Sequence, residues 1–231
     1  MSKLDQYIEL HKTGILPSSY PEEYFYYYSL PDFDESKFPS LTQGKNIESN
    51  KFLVNNNQIL ISKLNPRIKR VWKVENNEKY RSISSTEFVV VNPKNISIDY
   101  LSYLLSTEDV YKQLESNAIG STNSHTRFNP KILYSLFAYI PKEKHQHKIA
   151  NIIRTVETVI EQTQSAIAKY RTIKQGILHD LFTRGINIKT GKLRPRFLDA
   201  PQLYKESKLG MVPIVLDVER LGNRAVIEYG I

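Results

Sequence analysis

The chain has 231 residues, enough for one large domain, or for one domain plus an appended element, around a buried core. Hydrophobic residues make up 40% and charged residues 24%, a globular balance that excludes wholesale disorder, and the absence of cysteine removes disulfide scaffolds, thiolate nucleophiles and Cys-based metal sites. A net charge of +8, from 32 Lys plus Arg against 24 Asp plus Glu, favours a polyanionic partner.

No apolar run approaches the ~18 residues a membrane helix needs, and Met1-Ser2-Lys3-Leu4-Asp5-Gln6 has no signal-peptide layout, so a soluble, cytoplasmic protein with no membrane partner is expected. Residues 1–142 read as a mixed, loop-rich α+β region. Tyr24 to Tyr28 is an aromatic run, and Lys51-Phe52-Leu53-Val54 and Gln58-Ile59-Leu60-Ile61 flank Asn55-Asn56-Asn57 as two strands of an expected hairpin. Glu87-Phe88-Val89-Val90-Val91, stopped by Asn92-Pro93, has the β-branched composition of a buried strand. Apolar residues at Ile98, Leu101, Leu104, Leu105 and Val110 then fit one or two short helices.

From Glu143 the pattern changes in kind. Proline is absent up to Phe182 and glycine occurs only at Gly176, which predicts one long helix over 143–184. Its apolar positions step by four and three through Ile149, Ile153, Val156, Ile160, Ile167, Tyr170, Ile177 and Leu181, with Thr163 and Lys174 as polar interruptions. A second line, Ile152, Val159, Ala166 and Ile173, widens the stripe. A helix of this length spans about 60 Å at 1.5 Å per residue, so it should dock on another long surface. Arg184-Gly185-Ile186 supplies a stop, and residues 185–231 read as a basic connector followed by a short stub.

Catalytic patterns are poorly matched. Pro31-Asp32 with Glu35-Ser36-Lys37 has the letters of a metal-dependent nuclease, but the Asp and Glu lie too close for separate strands. Asn65-Pro66-Arg67-Ile68 and Asn129-Pro130-Lys131-Ile132 share only two letters with the loop of adenine methyltransferases, and no glycine-rich cradle accompanies them. His145 and His147 point in different directions on a helix, which disfavours a metal site, and His125 has no assignable catalytic partners. The informative segment is basic. Lys63, Arg67, Lys69, Arg70, Lys73, Lys79 and Arg81 outnumber Glu75 and Glu78, with Trp72 and Tyr80 interleaved. Such a stretch can neutralise phosphates and read guanine edges, or it can be a solvated strand edge whose lysines prevent aggregation. The Ile and Val stripe of the long helix reads as a packing face.

Several segments, taken in order, resemble the DNA-specificity subunit of Type I restriction-modification systems. Gly44-Lys45-Asn46-Ile47-Glu48-Ser49, Ile59 to Ile68, and Ser85-Thr86-Glu87-Phe88 are similar to its target recognition domain. Gly120-Ser121-Thr122 with Arg127-Phe128 resembles a later turn of that domain. Ile140-Pro141 then leads into Gln146-His147-Lys148-Ile149-Ala150, with His145 where the family usually has Glu. The most specific match is Ile167 to Gly185, which resembles the family's conserved helix. Family members usually carry two recognition domains and two such helices, packed antiparallel as a spacer. This chain has one of each, and Tyr204 to Pro213 looks like the opening of a second domain, so it resembles a half-subunit.

The resemblance implies an α+β fold, a globular recognition domain followed by a long helix that packs in an antiparallel coiled coil. It implies a non-catalytic chain that directs methylation and restriction subunits to a bipartite site in double-stranded DNA. S-adenosylmethionine would sit on the methylation subunit, with no cofactor on this chain, and the helix would pair with a second copy. The expected DNA contacts are Lys63, Arg67, Lys69 and Arg70, with Ser121, Thr122 and Arg127 beside them. The alternative is a degenerate fragment that binds partner helices without reading DNA.

Overall fold

The computed structural model describes the chain apart from residues 77–78, 121–125 and 226–231. It divides into two compact units, Met1–Thr155 and Val156–Ile231. In the first unit the elements run β1 (Ser2–Lys3), β2 (Ile8–His11), β3 (Gly14–Ile15), β4 (Tyr24–Tyr28), α1 (Leu30–Glu35), β5 (Ser40–Gln43), β6 (Lys51–Val54), β7 (Ile59–Ser62), β8 (Val71–Lys73), β9 (Arg81–Ser84) and β10 (Phe88–Pro93). There follow α2 (Ile98–Leu105), α3 (Glu108–Ser116), β11 (Ala118–Ile119), β12 (Arg127–Phe128), α4 (Ile132–Ser135), β13 (Phe137–Ala138) and the start of α5 (Glu143–Thr183). The protein is α+β, with a mixed sheet-and-helix region ahead of one long helix.

Two sheets form the frame. One has four antiparallel strands in the order β2-β10-β7-β8, and the other five strands in the order β3-β6-β9-β4-β5, of which only β4 and β9 are parallel. Strand alternation sends Ile59, Ile61, Val89 and Val91 to one side of the four-stranded sheet, where they pack with Leu101, Leu105, Val110 and Leu114 of α2 and α3. Leu60, Phe88 and Val90 face the other way and pack with Tyr28, Val54 and Trp72. Both faces are thus covered, which is why β7 and the first part of β10 are continuous apolar runs rather than alternating ones. Trp72 meets Tyr28, Phe33 and Phe88 edge-on, with centroids 4.7, 5.4 and 6.3 Å away. Burial pushes the Tyr28 phenol up to about 12, and its hydroxyl donates to the Glu75 carbonyl at 3.0 Å.

The strands flanking Asn55-Asn56-Asn57 form, but not as a hairpin. β6 pairs with β9 (Leu53↔Ile83), whereas β7 pairs with β10 (Leu60↔Val90), so the turn carries the chain from one sheet to the other. Gln58 fixes this corner. Its Oε1 accepts the Asn55 N–H and its Nε2 donates to Asn92 Oδ1, both at 2.8 Å, where a hairpin would use ladder bonds. β10 also continues through Asn92 and Pro93, which pair with Glu9 and Ile8 of β2.

The expected helices between Ser97 and Leu114 are two, α2 and α3, with the Ser97 hydroxyl capping the first by accepting from the Tyr100 N–H. The first turns of α5 dock beside α2. Gln146 is buried; its Oε1 accepts the Ser97 N–H at 2.8 Å and its Nε2 donates to the Pro141 carbonyl at 2.9 Å. Asp99 then joins Lys73 of β8, at 2.6 Å, to Arg154 of α5.

The second unit comprises α5 from Val156 onward and two short hairpins, β14 (Ile186–Asn187) with β15 (Lys192–Leu193) and β16 (Tyr204–Ser207) with β17 (Gly210–Pro213). The helix ends as its sequence indicates. Gly185 takes a left-handed φ of 64° and its N–H closes on the Leu181 carbonyl at 3.0 Å. Arg184 folds back on Asp180 at 2.9 Å and donates to the Arg194 carbonyl, tying the first hairpin to the helix end.

Candidate nucleic-acid interface

The basic segment becomes a loop because β7 and β8 must be joined over residues 63–70 while Pro66 and Asn65 punctuate the path; Asn65 sits at φ 49°. The loop is held rigidly. The Lys63 N–H donates to the Glu87 carbonyl at 2.9 Å, the Lys63 carbonyl accepts from Phe128, and the Asn65 N–H donates to the Thr126 carbonyl at 2.8 Å. A bridge between Leu64 and Arg127 completes the seam. The fold therefore brings the 63–70 loop and Arg127 together, although they are about sixty positions apart in sequence. Ser121 and Thr122 lie outside the described residues.

The cations of this surface differ in what holds them. Arg67 pairs with Glu115 at 2.9 Å and Lys69 with Glu108, both glutamates on α3. Arg127 forms a fork with Glu87 at 3.0 and 3.1 Å. Arg70 is buried, with its guanidinium forked onto Asp34 and its backbone N–H donating to the Tyr111 hydroxyl at 2.9 Å. The Arg70 hydrogen bonds hold the Asp34 carboxyl below its ordinary range, and burial raises the Tyr111 phenol. The Lys69 ammonium likewise lowers Glu108. Arg67, Lys69 and Arg127 are solvent-accessible pairs that a phosphate can compete for, since exposed ion pairs are worth little. Arg70 is a packing element that fixes the base of the loop.

Sequence reasoning passed over a neighbouring feature. A cleft of about 310 Å³ opens beside Lys63, lined by Lys12, His11 and Lys131 and floored by Phe52 and Phe88, with no carboxylate in its lining. Lys131 belongs to the Asn129-Pro130-Lys131 stretch that resembled a methyltransferase loop by two letters; what it contributes is a cation. Its place beside Lys63 comes from the β12–α4 connection and carries no local sequence signal. Among the described residues no cluster of three or more His, Asp or Glu side chains could hold a metal ion.

The helix positions divide in two. Ile149 and Ile153 are half-buried, while Val156, Ile160, Ile167, Tyr170, Ile177 and Leu181 are exposed, with Val156 at 53% and Ile167 at 46%. Ile152, Val159 and Ile173 of the second line are exposed as well. This is a contiguous apolar stripe far beyond the scattered exposure normal for a surface. Among the described residues no helix is long and apolar enough to cross a membrane.

No family model matches the chain. The Type I restriction enzyme MjaVIII specificity subunit of Methanocaldococcus jannaschii is 24% identical over 234 residues, which cover 97% of this chain and 48% of that protein. The chain resembles a Type I specificity subunit. Solved structures show the same fold. The HsdS subunit from Thermoanaerobacter tengcongensis superposes with a TM-score of 0.60 at 15% identity, over 76% of this chain and 46% of that one. A chain solved in work on complex assembly and conformational transition of the type I R-M system gives a TM-score of 0.60 at 17% identity, over 84% of this chain and 51% of its own length. The chain spans about half the length of this curated relative. The resemblance to specificity subunits thus holds in sequence and in fold, over most of the chain.

Proposed function

We propose that this chain is the DNA-recognition component of a Type I restriction-modification complex, acting without catalysis of its own and directing methylation and restriction subunits to a bipartite duplex target. The observation that carries the reading is the similarity to a specificity subunit along 97% of the chain. In this reading residues 1–142 recognise DNA, the helix over 143–184 is the spacer and pairing element, and 185–231 is a connector leading to the start of a second recognition domain. The loop over 63–70 and Arg127 would position the protein through phosphates and select bases in the major groove. S-adenosylmethionine and the chemistry on a flipped adenine belong to the methylation subunit.

The exposed stripe on α5 supports pairing with a second copy. An apolar face of this width favours association, and a two-fold antiparallel pair would present two identical recognition units, so the target would be a split palindrome. The competing reading, a fragment that binds partners without reading DNA, draws on the carboxylates that already neutralise Arg67, Lys69 and Arg127. Light scattering on the full chain, followed by selection of bound duplexes from a random library, separates the two. A dimer that enriches a two-part palindrome supports the specificity reading. A stable monomer at micromolar concentration that enriches no sequence overturns it.

A further inference from the structure

We propose that the cleft beside Lys63 seats a phosphate-bearing nucleotide unit of bound DNA, with Lys12, Lys63 and Lys131 as its phosphate ligands. This inference rests on the DNA-recognition reading and deepens it by naming a site on the domain that the basic run alone does not reveal. Around the recognition loop, Arg67, Lys69, Arg70 and Arg127 each face a carboxylate. Further off, Arg81 is matched by Glu23, Lys94 by Glu9, and Lys73 by Glu75 and Asp99. Among the described residues, Lys12, Lys63 and Lys131 have no ion-pair partner, and these three converge on one cleft with no carboxylate in its walls.

That convergence has a physical consequence. Like charges gathered over low-dielectric walls repel one another and focus a positive potential into the space between them, so the arrangement is relieved by an anion. The three lysines come from separate places: Lys12 just after β2, Lys63 just after β7, and Lys131 between β12 and α4. The backbone of Lys63 is clamped on both sides by Glu87 and Phe128, so the site is built before any ligand arrives. Its floor of Phe52 and Phe88 is apolar, which suits a sugar or base edge better than a free inorganic ion. A volume of about 310 Å³ stands at the lower end of the ~300–1,000 Å³ typical of small-ligand sites, room for one nucleotide-sized group. The position of Lys63 at the start of the recognition loop ties the cleft to duplex DNA rather than to a soluble nucleotide.

The test uses the full chain and a fluorescein-labelled random-sequence duplex, with binding followed by anisotropy across a salt series. Lys12→Ala combined with Lys131→Ala should weaken binding and lower the slope of log K against log salt by about 1.8, the loss of two phosphate contacts at ~0.9 each. Both side chains lie on exposed residues, so the fold should persist, and near-UV circular dichroism of Trp72 checks this. Lys94→Ala, whose lysine is matched by Glu9, should leave the slope unchanged. If the parent chain binds duplex and the double variant keeps its slope, the cleft is not a phosphate site while DNA recognition stands. A 5′-mononucleotide that binds the chain through these lysines while duplex binding ignores them also overturns the assignment to DNA. If the parent chain binds no duplex at low salt, the DNA-recognition reading itself fails and the cleft falls with it.

Discussion

Asp34 holds Arg70 through both carboxylate oxygens, Oδ1 at 2.7 Å from Nε and Oδ2 at 2.8 Å from Nη2. The pair joins α1 to the end of the 63–70 loop, and the arginine is almost sealed from solvent. Arg70→Ala should therefore cost stability, about 1–3 kcal/mol from the lost charge-assisted bonds, at the lower end because Asp34 stays half-exposed to water. Arg67→Ala should change stability by no more than about 0.5 kcal/mol and act instead on DNA binding, flattening its salt dependence. Urea denaturation of both variants beside anisotropy titrations separates the two roles. An unchanged salt slope in Arg67→Ala would remove that side chain from the interface.

Asp99 gives the docked start of α5 a pH dependence with a defined sign. Burial works against its ionisation, but the bonds from Lys73 and Arg154 outweigh it and leave the carboxyl below its ordinary value. A folded-state value below the unfolded one stabilises the protein above the ordinary carboxylate range near ~4, and that stabilisation is lost as pH falls through the lower folded value. Asp99→Asn should lower Tm at neutral pH and make the fall in Tm below pH ~4 less steep. Thermal melts between pH 2 and 7 provide the comparison.

Gln146 serves two backbone groups at once, so its loss should be felt more than a surface change. Gln146→Leu keeps the volume but strands the Ser97 N–H and the Pro141 carbonyl. An expected cost of about 2 kcal/mol follows from leaving buried partners unpaired, measurable by urea unfolding. Gln146→Ala should cost more, since it adds a cavity.

The stripe on α5 predicts an oligomeric response. Ile160→Asp with Ile167→Asp places two charges in it, and both positions are already exposed, at 50% and 46%, so the fold itself should tolerate them. Light scattering should read a monomer for this variant and a dimer for the parent chain, with unchanged helical circular dichroism.

Gly44→Ala tests a tight corner. A Cβ at this position would overlap the carbonyl oxygens of Tyr20 and Pro17, which are backbone and cannot swing aside. Destabilisation of about 1–3 kcal/mol is expected, seen as a lower urea midpoint with the slope unchanged.

Much of this was legible in the residues, and for reasons that can be named. The long helix announced itself through forty residues without proline and a stripe that repeats by three and four, both purely local signals. β10 was visible as a run of Val because it is walled on both faces. Strand partnership was not legible. Asn55 to Asn57 mark a turn, and Asn57 indeed takes a φ of 67°, but a turn does not say whether the chain returns to the same sheet; Gln58 and Asn92, 34 positions apart, decide that. The electrostatics of the 63–70 loop were hidden for the same reason. The acids that face Arg67, Lys69 and Arg70 lie 36 to 48 positions away, on α1 and α3, so a count of charges within the segment overstates its free positive charge.

The enclosure of the four-stranded sheet has a consequence for how this protein can change over generations. No inward residue of β7 or β10 can be altered without disturbing one of two packed layers, so those strands are frozen by their neighbours. On the loop that follows β7, by contrast, Arg67 and Lys69 are exposed and pair with glutamates of α3 that are themselves open to solvent. Substitutions at those two positions leave both packed layers untouched, so that surface can change one side chain at a time while the scaffold beneath it is inherited unaltered.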